Sequence, residues 1–412
     1  MKKLLVILLS LVMTFSLCAC GSKTETTAQA DPCEGMTWDE IVEAARGTTV
    51  SFYGWGGDEQ RNAWLEDFYV PYMKDKYDIT LKVVGMDIND ILSKLSSEKE
   101  AGEDENGSID MIWINGENFY SCKENGMLYG PFTDKLPNMS EYVDTEAYEN
   151  NYDFGKPIEG YEAPYSSAKM VMYADTAKTG DALPTNADEF MEFCKANKGK
   201  VTYPEVTDFT GSTFMRQLIY ETCGSDVWEG VEADKDAVQE AMQPAIDYMV
   251  ELNQYLWQQG KQFPADRGAM DTMFANGELV MGMTYEALQV GTEIEKGNIP
   301  KTVKSFEFAD GMIANTNYMA IAYNSPNKAG ALVAINAMMS PEMQLSSYEE
   351  YKHLTILDLN KLDDKTRDAF NAVDAGEGNL TLDQIGTNRL PETPADIVPI
   401  AEEVWRECVV GK

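Results

Sequence analysis

The sequence predicts an α/β protein of two lobes, the first built on a largely parallel sheet. Three observations predict it. Strands and helices alternate from Thr49 to Ile114, the pattern of a largely parallel sheet. Without its first 19 residues the 412-residue chain keeps 393, too many for one small core and suited to two of ordinary size. Two extended runs, Pro164–Tyr173 and Met312–Ala322, fall where a chain would leave one lobe and return to it.

The elements follow in order. Lys2 and Lys3 precede an apolar run from Leu4 to Leu17. That run suits the hydrophobic region of a signal peptide and is short for a membrane span of about 20 residues. Leu17-Cys18-Ala19-Cys20-Gly21 follows at once. An apolar residue three before a cysteine and a small residue just before it resemble the bacterial lipobox, which implies cleavage before Cys20 and lipid on its sulfur. The alternative is an ordinary signal peptide that happens to contain cysteines. Residues 22–31 are small and polar and read as a tether. The expected organisation is a signal peptide over 1–19 and a lipidated cysteine with tether over 20–45. One lobe takes 46–164 with 312–346, and the other takes 165–311 with 347–412.

Thr49–Tyr53 is rich in β-branched and aromatic residues and reads as a strand, broken by Gly54-Trp55-Gly56-Gly57. Apolar periodicity predicts a helix over about 58–73, a strand over 79–84 and a helix over 89–99. Asp110–Ile114 is almost wholly apolar, as a strand buried on both faces would be. Sheets of this kind take ligands beyond the carboxyl ends of their strands. Two loops sit there, Gly54–Asp58 and Asn115–Asn118. Trp55 among three glycines has little local packing to explain it, and Gly56 lets backbone approach a ligand closely.

In the second lobe the pattern predicts a helix over about 186–197 and a short strand over 200–203. A helix opens at Thr210-Gly-Ser-Thr-Phe214, and one long helix covers 239–259. A helix end, a turn and a strand run from Phe274 to Tyr285. The hydroxyls and N–H groups at Thr210–Thr213 suit either a ligand or a plain helix cap. Lys328–Ser340 reads as a helix ending at Pro341, and the tail holds further helices with a Pro-rich stretch over 390–399.

Composition excludes several functions. The formal charge is −36, and it becomes −38 once the two leader lysines are gone. Such a field repels nucleic acid and anionic lipid and weakly favours a cationic ligand. Cys33, Cys122, Cys194, Cys223 and Cys408 remain after processing, without metal-type spacing. They read as buried free thiols, with a Cys194–Cys223 bridge as the alternative. One histidine, His353, is too few for a His-based zinc site and makes a poor catalytic base. No phosphate-loop, dinucleotide, zincin or nucleophile-elbow motif is present. No catalytic residue, cofactor or metal is expected. Asp358–Asp364 lacks the glycine and spacing of a calcium loop and reads as a helix start.

A family likeness now rests on particular residues. Phe52-Tyr-Gly-Trp-Gly-Gly, Asp110-Met-Ile-Trp-Ile-Asn, Ala163-Pro-Tyr, Phe274-Ala-Asn-Gly-Glu, Asn324-Ser-Pro-Asn-Lys and Ser340-Pro-Glu-Met-Gln occur in that order. Together they resemble family 1 extracellular solute-binding proteins of ABC importers, from about Val50 to His353. Pro204, Phe209–Phe214 and Gly297–Pro300 resemble a branch grouped with thiamine, polyamine and ferric-iron binders. No histidine stands near the tyrosine-bearing loops, unlike many ferric binders, and Tyr285-Glu286 stands where that branch often has Tyr-Asn.

The resemblance implies a type II periplasmic-binding-protein-like fold with hinge strands near Tyr165, Met312 and Ser347 and a cleft between lobes. It implies a solute bound there, delivery to a permease and its ATPase, a monomer, and an anchor outside the membrane. Trp55, Tyr165, Phe214 and Tyr285 are candidate aromatic plates. Glu117 and Glu286 are candidate partners for a positive group, and Asn115, Ser212, Asn315 and Asn317 are candidate hydrogen-bonding groups. Thiamine-like cations, polyamines, sugars and short peptides are the candidate solutes. A carboxylate-based hydrolase and a surface adhesion or structural lipoprotein are the rival readings.

Overall fold

A computed structural model of the chain describes residues 31–57 and 59–412. The expected signal peptide, the lipidated Cys20, most of the tether and the helix start at Asp58 lie outside the described residues. Residues 37–412 form one compact unit, and the account below concerns it.

The first lobe opens with helix α1 (Trp38–Ala45), closed at its start by a Thr37–Glu40 capping box. Strand β1 (Thr49–Gly54) follows, then α2 (Glu59–Trp64), a π-helical turn (Leu65–Tyr69) and α3 (Val70–Tyr77). Pro71 sits in the first turn of α3, where its missing N–H costs nothing. Next come β2 (Thr80–Gly85), α4 (Ile88–Glu100), β3 (Met111–Ile114) and α5 (Gly116–Glu124). β1 lies between β2 and β3, parallel to both, with Val50 opposite Leu81 and Phe52 opposite Met111. The alternation therefore builds the parallel sheet that it predicts. Ile91, Leu95, Ile112, Ile114 and Phe119 bury its apolar face.

The chain leaves along β4 (Glu162–Lys169) and enters the second lobe at β5 (Val171–Asp175). There follow α6 (Ala187–Ala196) and α7 (Phe209–Cys223), then α8 (Lys235–Ala241), α9 (Gln243–Asn253) and α10 (Arg267–Ala275). β6 (Met281–Thr284) and β7 (Val303–Phe306) flank β5 in a three-stranded antiparallel sheet. Two expectations fail here. The long helix expected over 239–259 is broken, because Pro244 opens α9 as a new helix. Lys200–Tyr203 is not a strand. Its carbonyls serve scattered donors, Val280 on Lys200 and Trp257 on Val201, and no continuous ladder forms.

Strand β8 (Met312–Ala322) brings the chain back. Its second half, Tyr318–Ile321, inserts between β3 and β4 at the centre of the first sheet. Its first half, Ala314–Asn317, pairs with Ser166–Lys169, and the register shifts between Asn317 and Tyr318. This ribbon joins the lobes, and Ser167 within it also bridges to Leu354 of the tail. Lys169 fastens one end of it, donating to Glu307 at 2.6 Å and to the carbonyls of Gln384 and Thr387.

Beyond β8 come α11 (Lys328–Met338) and α12 (Pro341–Ser346), the latter capped by Ser340. Tail residues up to α13 (Asp364–Asn371) pack beside the helices of the first sheet. Trp64 Nε1 donates to Ser346 Oγ at 3.0 Å, and Tyr348 stacks near Phe370. Asp363 caps α13, so the acidic stretch is a helix start, not a calcium loop. β9 (Arg389–Leu390) then joins β8, and α14 (Val398–Cys408) seats Trp405 in the second core against Tyr203 and Phe263. The five described cysteines are free, Cys194 and Cys223 included.

Candidate functional site

The carboxyl ends of β1 and β3 share one edge of the first sheet, so the loops that follow them face the same space. Trp55 stands in the first loop, 47% exposed. Its carbonyl accepts from Arg61, whose guanidinium lies 4.7 Å over the Trp113 ring. Gly56 is required for a different reason from the one expected. A Cβ there would come within 2.9 Å of the Gly85 backbone, so the glycine serves strand packing.

In the second loop Asn115 precedes α5 as its N-terminal boundary residue, without a side-chain cap bond. Gly116 has φ +64°, and Phe154 presses on the face where a Cβ would stand. Its N–H donates to Asp153. Glu117 projects from the first turn of α5 and is exposed, with Asn118 Nδ2 donating to it at 3.3 Å. Burial raises its carboxyl pKa, Arg216 opposes, and Glu402 and Glu392 add to the rise. Glu117 thus shares one electrostatic space with groups of the second lobe.

That space is centred on Glu392. Its carboxylate accepts from the Arg216 guanidinium, from Tyr285 Oη at 2.6 Å and from Asn315 Nδ2 at 3.0 Å. Arg216 and Glu392 are 1% and 3% exposed at the side chain. Arg216 also donates to Thr213 Oγ1 at 2.7 Å and lies 5.4 Å over the Phe154 ring. Phe154, Phe209 and Tyr285 form a row of rings with centroids 6.3 and 5.0 Å apart. Phe209 is 43% exposed and so presents a face to solvent. Ser212, in the first turn of α7, donates to Glu402 at 2.7 Å. Two buried polar atoms here have no hydrogen-bond partner, Asn315 Oδ1 and Arg216 Nε.

Asn317 stands two residues along β8 from Asn315 and so on the same strand face. It donates to Ser166 Oγ at 2.9 Å and accepts from Trp113 Nε1 at 3.2 Å. Tyr165 is buried edge-on to Trp113, with its ring 6.0 Å from His353. The ribbon therefore links the Trp113 group to the Glu392 group.

Two expected contacts need correction. Phe214 is fully buried against Phe190 and Tyr203 in the second core. Full burial of such a ring is worth about 1.5–3 kcal/mol, so it serves as core and offers no plate. Glu286 pairs with Arg267 at 3.0 Å, and its charge is already compensated. Sequence reasoning missed the buried Arg216–Glu392 pair and the rings of Phe154 and Phe209 beside it. Phe209 alone had a signal, an aromatic just ahead of the hydroxyl-rich helix start.

The comparisons with known proteins bear on this geometry. The family of bacterial extracellular solute-binding proteins matches residues 67–359. The chain belongs to that family. Protein YnjB of Escherichia coli (strain K12) is 34% identical over 338 residues, covering 81% of this chain and 86% of YnjB. An ABC transporter structure from Clostridium perfringens is 18% identical with a TM-score of 0.61, over 87% of this chain and 97% of that one. The spermidine/putrescine substrate-binding protein PotD from Streptococcus pneumoniae is 12% identical with a TM-score of 0.59, over 87% and 99%. A ferric binding protein from Campylobacter jejuni is 12% identical with a TM-score of 0.58, over 88% and 99%. The structural likenesses establish the two-domain periplasmic-binding-protein-like fold. Among the described residues of this solute-binding protein, no helix is long and apolar enough to cross a membrane, and no group of three or more His, Cys, Asp or Glu residues could hold a metal ion.

Proposed function

We propose that this solute-binding protein captures a small organic cation between its lobes and delivers it to the permease of an ABC importer. One observation carries the choice of ligand. Glu117 stands within electrostatic reach of Glu402 and of the paired Arg216 and Glu392, and the ring row Phe154, Phe209 and Tyr285 lies against that pair. Rings and carboxylates together select organic cations, with cation–π attraction worth about 0.5–2 kcal/mol. Asn315 Oδ1, a buried acceptor without a donor, suits an ammonium hydrogen. The contact set we propose is Trp55, Asn115, Glu117, Phe209, Tyr285 and Asn315, with Ser212 and Asn317 positioning their neighbours. The polyamine named for the pneumococcal neighbour and the thiamine-like class are the solutes this chemistry favours.

Closure follows if the solute touches both lobes, because each set of contacts then favours the closed state. The ribbon at Ala314–Asn317 is the proposed hinge. Residues 38–164 with 312–346 form one proposed lobe and 165–311 the other, with the tail shared between them. Leu17-Cys18-Ala19-Cys20 supports export, removal of residues 1–19 and a lipid anchor on Cys20. The protein acts as a monomeric binder without turnover, partnered by a permease and its ATPase.

The test is a thermal-shift and calorimetric screen of the purified protein against thiamine, spermidine, putrescine, sugars, citrate and amino acids. A solute at 100 times its Kd adds about 2.7 kcal/mol of stability. Stabilisation by an organic cation is the expected result. Stabilisation by sugars or acids alone sinks the cation reading, and hydrolysis of a glycan panel sinks the binder.

A further inference from the structure

The Arg216–Glu392 pair poses a physical puzzle. Buried ion pairs are poor sources of stability, since desolvation offsets most of the attraction. Here the pair is also over-determined. Glu392 takes donors from α7, from the end of β6 and from the ribbon strand β8, that is from Arg216, Tyr285 and Asn315. Thr213 holds the far side of the guanidinium at 2.7 Å, and the Phe154 ring covers it. A guanidinium, a phenol and an amide N–H₂ converging on one carboxylate make the donor set that would seize the carboxylate or phosphate of a solute. The chain supplies that carboxylate itself.

We infer that Glu392 is a built-in counter-anion that fixes the sign of the solute. By occupying Arg216 it cancels that guanidinium's charge, as Glu402 does for Arg406 at 3.1 Å and Glu149 for Arg389 at 4.0 Å, and it leaves Glu117 to set the local field. Without it, Arg216, Tyr285 and Asn315 would accept an anionic solute. This inference rests on the proposed cation reading and deepens it by naming the residue that excludes anions.

The test compares the unaltered protein, Glu392→Gln, and the double variant Arg216→Met with Glu392→Gln. The probes are spermidine and thiamine as cations and citrate as an anion, followed by calorimetry and thermal shift. In the unaltered protein a cation stabilises and citrate does not. Glu392→Gln should gain citrate binding and bind the cation about tenfold or more weaker, a change of about 1.4 kcal/mol. The double variant, again neutral at this point, should ignore citrate and keep the cation within about threefold. A folded Glu392→Gln protein that ignores citrate overturns the inference alone, provided the unaltered protein binds the cation. If the single variant does not fold, the double variant decides. Retained cation binding supports the inference, and lost binding overturns it by making Glu392 a direct ligand contact. An unaltered protein that answers to citrate, or to none of the three probes, sinks both the cation reading and this inference.

Discussion

Two pairs of ionisable side chains are sealed into neighbouring parts of this protein, and they solve the same problem in opposite ways. Arg216 and Glu392 cancel by opposite charge. Asp153 and Glu162 are 2% and 0% exposed, and neither has a cation at hydrogen-bond range among the described contacts. Burial drives both carboxyl pKa values well above the usual range. Glu392 and Glu117 push Asp153 further up while the Gly116 N–H opposes, and Asp153 pushes Glu162 up while Lys123 opposes. Glu149 and Tyr318 complete the surroundings, with Tyr318 itself raised by burial and by both acids. The first pair answers to which partner is present. The second answers to pH, because burial favours the protonated form of each acid.

Removing one partner should break this comparison most forcefully. Glu392→Ala leaves Arg216 buried without its carboxylate and should cost about 3–5 kcal/mol in urea unfolding. A loss below 1 kcal/mol, on the scale of an exposed pair, would mean that water reaches Arg216. Tyr285→Phe removes one charge-assisted hydrogen bond and should cost about 1.5–3 kcal/mol, again read from urea midpoints at constant slope.

The acid pair should show itself in pH dependence. A carboxyl whose pKa is raised on folding holds a proton that the unfolded chain releases. Its stabilising contribution is complete below the unfolded value, near pH 4, and is lost as pH climbs through the folded value. Glu221, pushed up to about 7 by burial, adds to the same fall up to neutral pH. Glu162→Gln should flatten the fall and gain about 1.4 kcal/mol at pH 8 for every tenfold by which folding tightens the hold of Glu162 on its proton. Equal slopes for variant and unaltered protein between pH 5 and 8 would assign the fall to Glu221 and other groups.

The smallest stability effect belongs to Phe209→Ala. An exposed ring should change stability by no more than about 0.5 kcal/mol, while solute affinity falls by about 0.5–2 kcal/mol if the ring covers a cation. A large loss of stability with unchanged affinity would place Phe209 in the core instead.

Much of the fold was legible because it is written in local pattern. β1, β3 and β8 announce themselves through β-branched and apolar runs, and α6 and α7 through periodicity and caps. Pro244 was legible too, and its helix-breaking force outweighs the apolar spacing of the long run around it. The candidate site was legible only in part. Trp55, Glu117, Tyr285 and Asn315 stand at strand ends or on a crossover strand, positions that topology marks. Glu392 is one of 69 acidic residues, and its partners lie 176, 107 and 77 residues away in the chain. Nothing local distinguishes it from a solvated surface carboxylate. Phe214 misled because a helix start rich in hydroxyls drew attention to its whole first turn, while its own side chain turns inward.

The place of β8 in the first sheet has a consequence for how the chain is made. That sheet keeps an open edge on β3 until residues 318–321 arrive to fill it, so almost the whole second lobe must be synthesised first. Long-range pairing of this kind forms slowly. A chain leaving the cytoplasm amino end first would therefore stay unfolded and threadable through a translocation pore until most of it had crossed. In a chain exported that way, the late central strand would delay closure of the first sheet.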